Sequence, residues 1–264
     1  MSLRQKIATI VKLQNFSNDK TKDFAAFFIG VIYMNEVYRQ EKKYFMTLFD
    51  MKKLSNLLDS VMIKDLHNGT YGYSIRSLYF DTINNKDFNE KIDGVGVRRK
   101  IRLRIYDTSS DFAMLEIKQK DGIYQKKRSI KINKKDAIEM TEGKYYSLLK
   151  YKEPFAAECF GIMNMFCYKP KAIVEYTRKA YIAKENKIRI TFDYNIRATE
   201  SSFELFSPEI NLYPVLDMFN GVLEVKYNGF LLSYIKNLVS EANKSEISVS
   251  KYCLARSASL KFKL

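Results

Sequence analysis

The sequence predicts an α+β domain, mainly antiparallel β, with helices packed outside the sheet. Period-2 stretches dominate from Glu36 onward, and turn pairs such as Asn84-Asn85, Asp93-Gly94, Ser109-Ser110 and Asp121-Gly122 separate them. Three apolar stripes at helical spacing interrupt the pattern. A chain of 264 residues is long enough for one large domain with a real core.

Candidate strands cover roughly 36–46, 73–81, 97–107, 112–120, 123–132, 171–182, 187–196, 221–227 and 249–255. That is enough to close a barrel, although side chains alternate identically in an open sheet. Leu54, Leu57, Leu58, Val61 and Met62 follow a helical period behind Thr47-x-x-Asp50, which has capping-box spacing. Phe155, Cys159, Ile162, Met163 and Phe166 make a second stripe, and Leu231, Leu232, Ile235, Leu238 and Val239 a third. All three read as core packing. Residues 1–35 read as an accessory helical segment, 36–255 as the main domain and 256–264 as a basic tail. The apolar run Phe24 to Met34 is eleven residues long, well short of the ~20 a membrane span needs.

The formal charge of +15 predicts an anionic partner. Cys159, Cys167 and Cys253 show no Cys-x-x-Cys pairing, which argues against a disulfide framework or a zinc site and fits a reducing, cytoplasmic compartment. The single histidine, His67, lies in a loop-like His-Asn-Gly stretch, so Ser-His-Asp or Cys-His catalysis has almost no material. Gly94-Val-Gly96 lacks a third glycine and reads as a hairpin turn. Tyr and Phe are scattered with no RNP-type pattern, so specific nucleic-acid binding is not expected.

Residues two apart on a strand share a face, and here charges alternate with aliphatic side chains. Ile101-Arg-Leu-Arg-Ile105 puts two guanidinium groups on one face, and Leu115-Glu-Ile-Lys118 and Leu223-Glu-Val-Lys226 repeat the arrangement. Any one such strand is an ordinary solvated face. Between Val97 and Lys131, however, eleven basic residues stand against four acidic ones, so cross-strand pairing cannot neutralise the faces. A missing polyanion explains that surface better. Glu41, Glu116 and Glu224, each two before a Lys, add hard oxygen ligands for Mg²⁺ or Mn²⁺.

Nine segments then occur in one order: Arg39-x-Glu41-x-Lys43-Tyr44, Ser74 to Asp81, Lys100-Ile-Arg-Leu-Arg104, Leu115 to Lys118, Lys126-x-Arg128, Tyr176-x-Arg178, Arg189-Ile-Thr-Phe-Asp193, Leu223 to Lys226 and Ser250-Lys251-Tyr252. In this the chain resembles the VTC domain, the polyphosphate polymerase module of the triphosphate tunnel metalloenzyme superfamily. The resemblance covers about 40–252 and implies a closed eight-stranded tunnel barrel. It implies ATP and polyphosphate as partners, a membrane-associated partner protein at the inner face of a membrane, and Mn²⁺ or Mg²⁺ as cofactor. Carried over by position, Arg102, Arg104, Lys118, Arg178 and Arg189 look like the catalytic basic residues. Lys43, Lys126, Arg128, Tyr176 and Lys226 look like further phosphate or nucleotide contacts, Ser250 and Lys251 like a C-terminal phosphate clamp, and Glu224 like the metal ligand. Ser248 departs from the pattern, because polymerases of the family can carry a Lys there. The implied reaction is transfer of the ATP γ-phosphoryl group to a polyphosphate chain. A triphosphate hydrolase of the same fold and a non-catalytic polyphosphate-binding module stay open at this point.

Overall fold

The computed structural model describes residues 39–122, 124–240 and 246–261. The accessory segment expected over 1–35 lies outside them. Eight strands form one curled antiparallel sheet: β1 (Arg39–Thr47), β3 (Tyr73–Thr82), β4 (Arg98–Ile105), β5 (Phe112–Asp121), β6 (Tyr124–Asn133), β7 (Tyr168–Ile182), β8 (Arg189–Thr199) and β10 (Asn220–Asn228). Two short strands, β2 (Ile63–Lys64) and β9 (Tyr213–Pro214), pair with β7 and β8 off this path. The spatial order β1-β10-β8-β7-β3-β4-β5-β6 leaves β1 and β6 as edges. Among the described residues no ladder joins them, so the closed barrel expected from the resemblance is instead an open half-barrel. Residues 246–250 follow the β1 edge: Tyr44 and Glu246 form an isolated bridge, and Ile247 N donates to Lys43 O at 2.8 Å.

The helices are α1 (Leu48–Val61), α2 (Lys86–Ile92), α3 (Lys134–Thr141), α4 (Pro154–Met165), α5 (Ser233–Ser240) and α6 (Lys251–Lys261). Thr47 caps α1 as its spacing predicts, with Oγ1 accepting from Asp50 N at 3.1 Å. Met51, Leu54 and Leu58 of α1, with Ile235 and Val239 of α5, bury against Ile190, Phe192, Leu223 and Val225 on the convex side. α3 and α4 cover the convex side of β4 to β6 through Ala137, Met140, Cys159 and Met163. With the outer face covered, Arg102, Arg104, Lys118, Arg178, Glu224 and Lys226 stand on the concave side. Burial of this kind makes truncation of Leu58, fully excluded from solvent, cost about 2–5 kcal/mol.

Two local expectations fail. Residues 249–255, read as a strand, begin α6, which runs past the boundary placed at 255 to Lys261. Ser250 acts as its cap, Oγ accepting from Cys253 N at 3.3 Å and the carbonyl accepting from Leu254 N at 2.9 Å. α6 packs Tyr252, Cys253 and Ala255 against Ile75, Tyr79, Val174 and Tyr176, so it fills part of the concave face rather than sitting outside. Gly94-Val-Gly96 is no hairpin either. Gly94, at φ +73°, ends α2, and Val95 N reaches back to Glu90 O at 2.9 Å in a Schellman closure before β4 starts. Gly72, at φ +93°, is required more strictly, because a Cβ there would run into the backbone carbonyl of Arg178.

Candidate functional site

Residues of all eight strands of the curled sheet, with α2 and residues 246–251, line a cavity of about 820 Å³. Its two walls come from different parts of the chain. One wall is the hairpin run β4-β5-β6. Its register sets Arg104 opposite Met114, Arg102 opposite Glu116 and Ser129, Lys100 opposite Lys118 and Lys127, and Arg98 opposite Lys120 and Gln125. The other is β1-β10-β8-β7, where Glu41 faces Lys226, Lys43 faces Glu224, Glu224 faces Thr191, and Asp193 faces Arg178.

In the second wall each carboxylate is bracketed by cations. Arg178 grips Asp193 through Nε and Nη2 at 2.6 and 2.7 Å and reaches Glu224 at 3.4 Å. Lys251 Nζ lies 2.5 Å from the same Asp193. Lys226 approaches Glu224 at 2.8 Å, and Lys43 approaches Glu41 at 2.9 Å. Burial penalises the Glu224 carboxylate, but Lys226 and Lys43 outweigh it and hold its pKa well below the ordinary range. Lys43 also lies 4.0 Å from Glu224 and Lys226 3.9 Å from Glu41, so the two carboxylates share the same two ammonium groups. Arg189 is held by Asp65 at 2.7 Å and Tyr73 at 3.1 Å.

The first wall is less balanced. Glu116 is its one buried acid, and Arg102 at 2.6 Å, Lys127 and, at 3.9 Å, Arg104 surround it. Burial penalises the Glu116 carboxylate, but Arg102, Arg104 and Lys127 hold its pKa well below the ordinary range. Lys118 forms no ion pair among the described residues. Burial and the neighbouring Lys226 ammonium push its pKa well down. Lys100 donates to Ser250 Oγ at 2.6 Å, and burial lowers its pKa to about 8. Tyr176 lies under two cations, Arg178 at 5.4 Å and Lys251 at 4.6 Å from its ring. Burial raises the phenol, but Arg178 and Arg104 prevail and its pKa falls below the usual value.

Of the residues singled out in the sequence, Lys43, Arg102, Arg104, Lys118, Lys126, Tyr176, Arg178, Arg189, Glu224, Lys226, Ser250 and Lys251 all line this cavity. Arg128 does not. It pairs with Glu158 of α4 at 2.5 and 2.6 Å and lies over the Phe155 ring on the convex side. The reason is register: Ile130 and Ile132 share the parity of Arg128 and are buried in the outer core, so Lys127 and Ser129 face inward, while Lys126, of Arg128's parity and exposed, still borders the cavity. Three consecutive basic residues hid that parity, which Ile130-x-Ile132 carries. Lys100 shares the parity of Arg102 and was legible on that ground. Lys91, which donates to Ser248 Oγ at 2.5 Å, sits on α2, a helix that no sequence signal announced.

The arrangement can bind an extended oxyanion through planar guanidinium forks and lysines. Among the described residues no group of three or more His, Cys, Asp or Glu is placed to hold a metal. Glu41 and Glu224 form a two-carboxylate set, and such a set fits a hard cation whose other ligands are phosphate oxygens. No described helix is long and apolar enough to cross a membrane.

A family model for the VTC domain matches residues 38–260. No curated protein sequence matches the chain. Among solved structures it is similar, at 12% identity, to a provisionally assigned adenylate cyclase from Vibrio parahaemolyticus, with 83% of this chain and 98% of that one covered and a TM-score of 0.49. A second provisionally assigned adenylate cyclase, from Bacillus halodurans, gives 12% identity, 80% and 95% coverage and a TM-score of 0.46. A protein from Pyrococcus horikoshii OT3 gives 12%, 84% and 99%, and 0.42. The match to the family model spans most of the sequence, and the chain belongs to the VTC-domain family.

Proposed function

We propose that the protein synthesises polyphosphate, transferring the γ-phosphoryl group of ATP to the end of a polyphosphate chain held in the cavity. The observation that carries this reading is the pair Lys100 and Lys118, opposite each other across β4 and β5, whose charge no carboxylate answers among the described residues. Like charges aligned across strands are destabilising on their own, and an extended polyanion relieves them. Membership of the VTC family supports the same chemistry.

Phosphoryl transfer asks mainly for positioning and charge neutralisation. Arg102, Arg104, Arg178 and Arg189 would hold phosphates through paired N–H groups, and Lys118 supplies a point charge with no protein partner to leave. Tyr176 offers its hydroxyl as a donor. Ser250 and Lys251, at the start of α6, would add a hydroxyl and an ammonium to the phosphate contacts. The acceptor is an anion that is already ionised near neutral pH, so no histidine base is needed. Glu41 and Glu224 would hold Mg²⁺ or Mn²⁺, which supplies charge neutralisation on the phosphates when bound.

Incubation with labelled ATP and Mn²⁺, resolved on a gel, tests the proposal. Long labelled polyphosphate is expected. Free phosphate alone would overturn polymerisation in favour of hydrolysis, and no turnover with retained polyphosphate binding would leave a binding module.

A further inference from the structure

The two ends of the cavity differ in chemistry. At one end lie Lys91, Arg98, Lys100 and Lys120, with Ser248 and Ser250 beside them and no described aromatic side chain in the lining. The inner face of β4 continues from Arg98 through Lys100, Arg102 and Arg104 to Tyr106, which also lines the cavity. At about 3.3 Å per residue, Tyr106 stands roughly 26 Å from Arg98.

Four tyrosines line the cavity, and two are committed elsewhere. Tyr79 stacks on Tyr252 at 5.2 Å and accepts from Arg102, and Tyr176 is covered by Arg178 and Lys251. The other two lie together at the far end. Tyr73 and Tyr106 have ring centroids 6.3 Å apart at 47°, and His67 meets Tyr73 edge-on at 6.0 Å. Tyr73 is fixed by Arg189 at 3.1 Å. Tyr106 is 49% exposed, and its hydroxyl makes no hydrogen bond among the described residues. One open aromatic face therefore sits one strand repeat, about 7 Å, beyond Arg104. An exposed tyrosine at a strand end is commonplace. The backing ring, the cavity wall and the guanidinium groups immediately inward are what give this one a ligand-facing position.

We propose that Tyr106, backed by Tyr73, is the platform on which the base of the nucleoside triphosphate stacks. The nucleotide then lies with its phosphates running inward past Arg104 and Arg178 toward Lys100 and Lys91. The lysine end suits phosphate only, because a neutral base there would desolvate ammonium groups without replacing their hydrogen bonds. This orientation rests on the ATP-using reading above, and it adds the subsite for the base and the polarity of the cavity.

Dissociation constants for ATP and for inorganic tripolyphosphate, measured by calorimetry on wild type, Tyr106→Ala and Tyr106→Phe, test it. Base stacking on an aromatic side chain is worth about 1–3 kcal/mol. Tyr106→Ala should therefore weaken ATP roughly 5- to 150-fold and leave tripolyphosphate unchanged, while Tyr106→Phe keeps wild-type affinity for both. An unchanged ATP constant in Tyr106→Ala, or an equal loss for both ligands, overturns the platform and leaves the phosphate site standing. Wild-type protein that binds neither ligand overturns the ATP-using reading together with the platform.

Discussion

Lys100 and Lys118 face each other across the β4–β5 ladder, and neither has a carboxylate partner among the described residues. Their charge state is therefore set by burial and by whatever anion enters the cavity.

A polyanion should pull protons onto this pair. The folded pKa of Lys100 lies at about 8, below its ordinary value of 10.5, and Lys118 is depressed as well. A depressed lysine is charged in both folded and unfolded protein below pH 8. Between pH 8 and 10.5 the unfolded chain holds more protons, so this lysine makes the unliganded protein more stable as pH rises through that window. Tripolyphosphate reverses the preference. Calorimetry near pH 8.5 in buffers of different ionisation enthalpy should show net proton uptake on binding, reduced in Lys100→Met. Heats independent of buffer would contradict the pairing described above.

Asp193 is the counter-charge for Arg178 and Lys251. Replacing it with Asn leaves two buried cations facing an amide, and removing one partner of a buried pair costs about 3–5 kcal/mol. Urea unfolding of Asp193→Asn should show that loss. Saturating tripolyphosphate should recover part of it, because the ligand supplies the missing negative charge.

Glu224→Gln keeps the shape of the β10 side chain and removes one of the two carboxylates. Mn²⁺ binding, followed by electron paramagnetic resonance with tripolyphosphate present, should weaken at least tenfold, and labelled-ATP turnover should stop while far-ultraviolet circular dichroism stays unchanged. Glu41→Gln should weaken Mn²⁺ in the same sense. Retained Mn²⁺ affinity in both variants would remove the metal assignment.

Arg102 and Arg128 separate the two faces of the sheet. Arg102→Ala should weaken tripolyphosphate roughly tenfold or more, the scale of a lost hydrogen bond to a charged group. Arg128→Ala should leave that constant alone and cost only its exposed pairing with Glu158, which is worth up to about 1 kcal/mol. Equal losses would mean the β6 register is wrong.

These contrasts show what the sequence could say. Alternation named the inner residues of β4 and β10 correctly because Ile101, Leu103, Leu223 and Val225 mark the opposite face without ambiguity. It misplaced Arg128 because Lys126, Lys127 and Arg128 are consecutive and only the isoleucines downstream settle the phase. The start of α6 was hidden differently. Val249, Tyr252 and Cys253 suit a strand as well as a helix by residue type, and the decision falls to the Ser250 cap and to packing on Tyr79 and Tyr176. Closure of the sheet depends on pairing at its edges, which no pattern within a single strand encodes.

The pairing of β1 with β10 also bears on time. Arg39 lies opposite Asn228, so the wall carrying Glu41 and Glu224 exists only after nearly two hundred residues of intervening chain have been brought round. The lysine wall needs only the two successive hairpins of β4 to β6. Local pairings form quickly and distant ones slowly, so the cationic wall should be complete while the carboxylate wall is still unmade. A refolding chain would then present its full row of cations before Glu41 and Glu224 arrive to balance them.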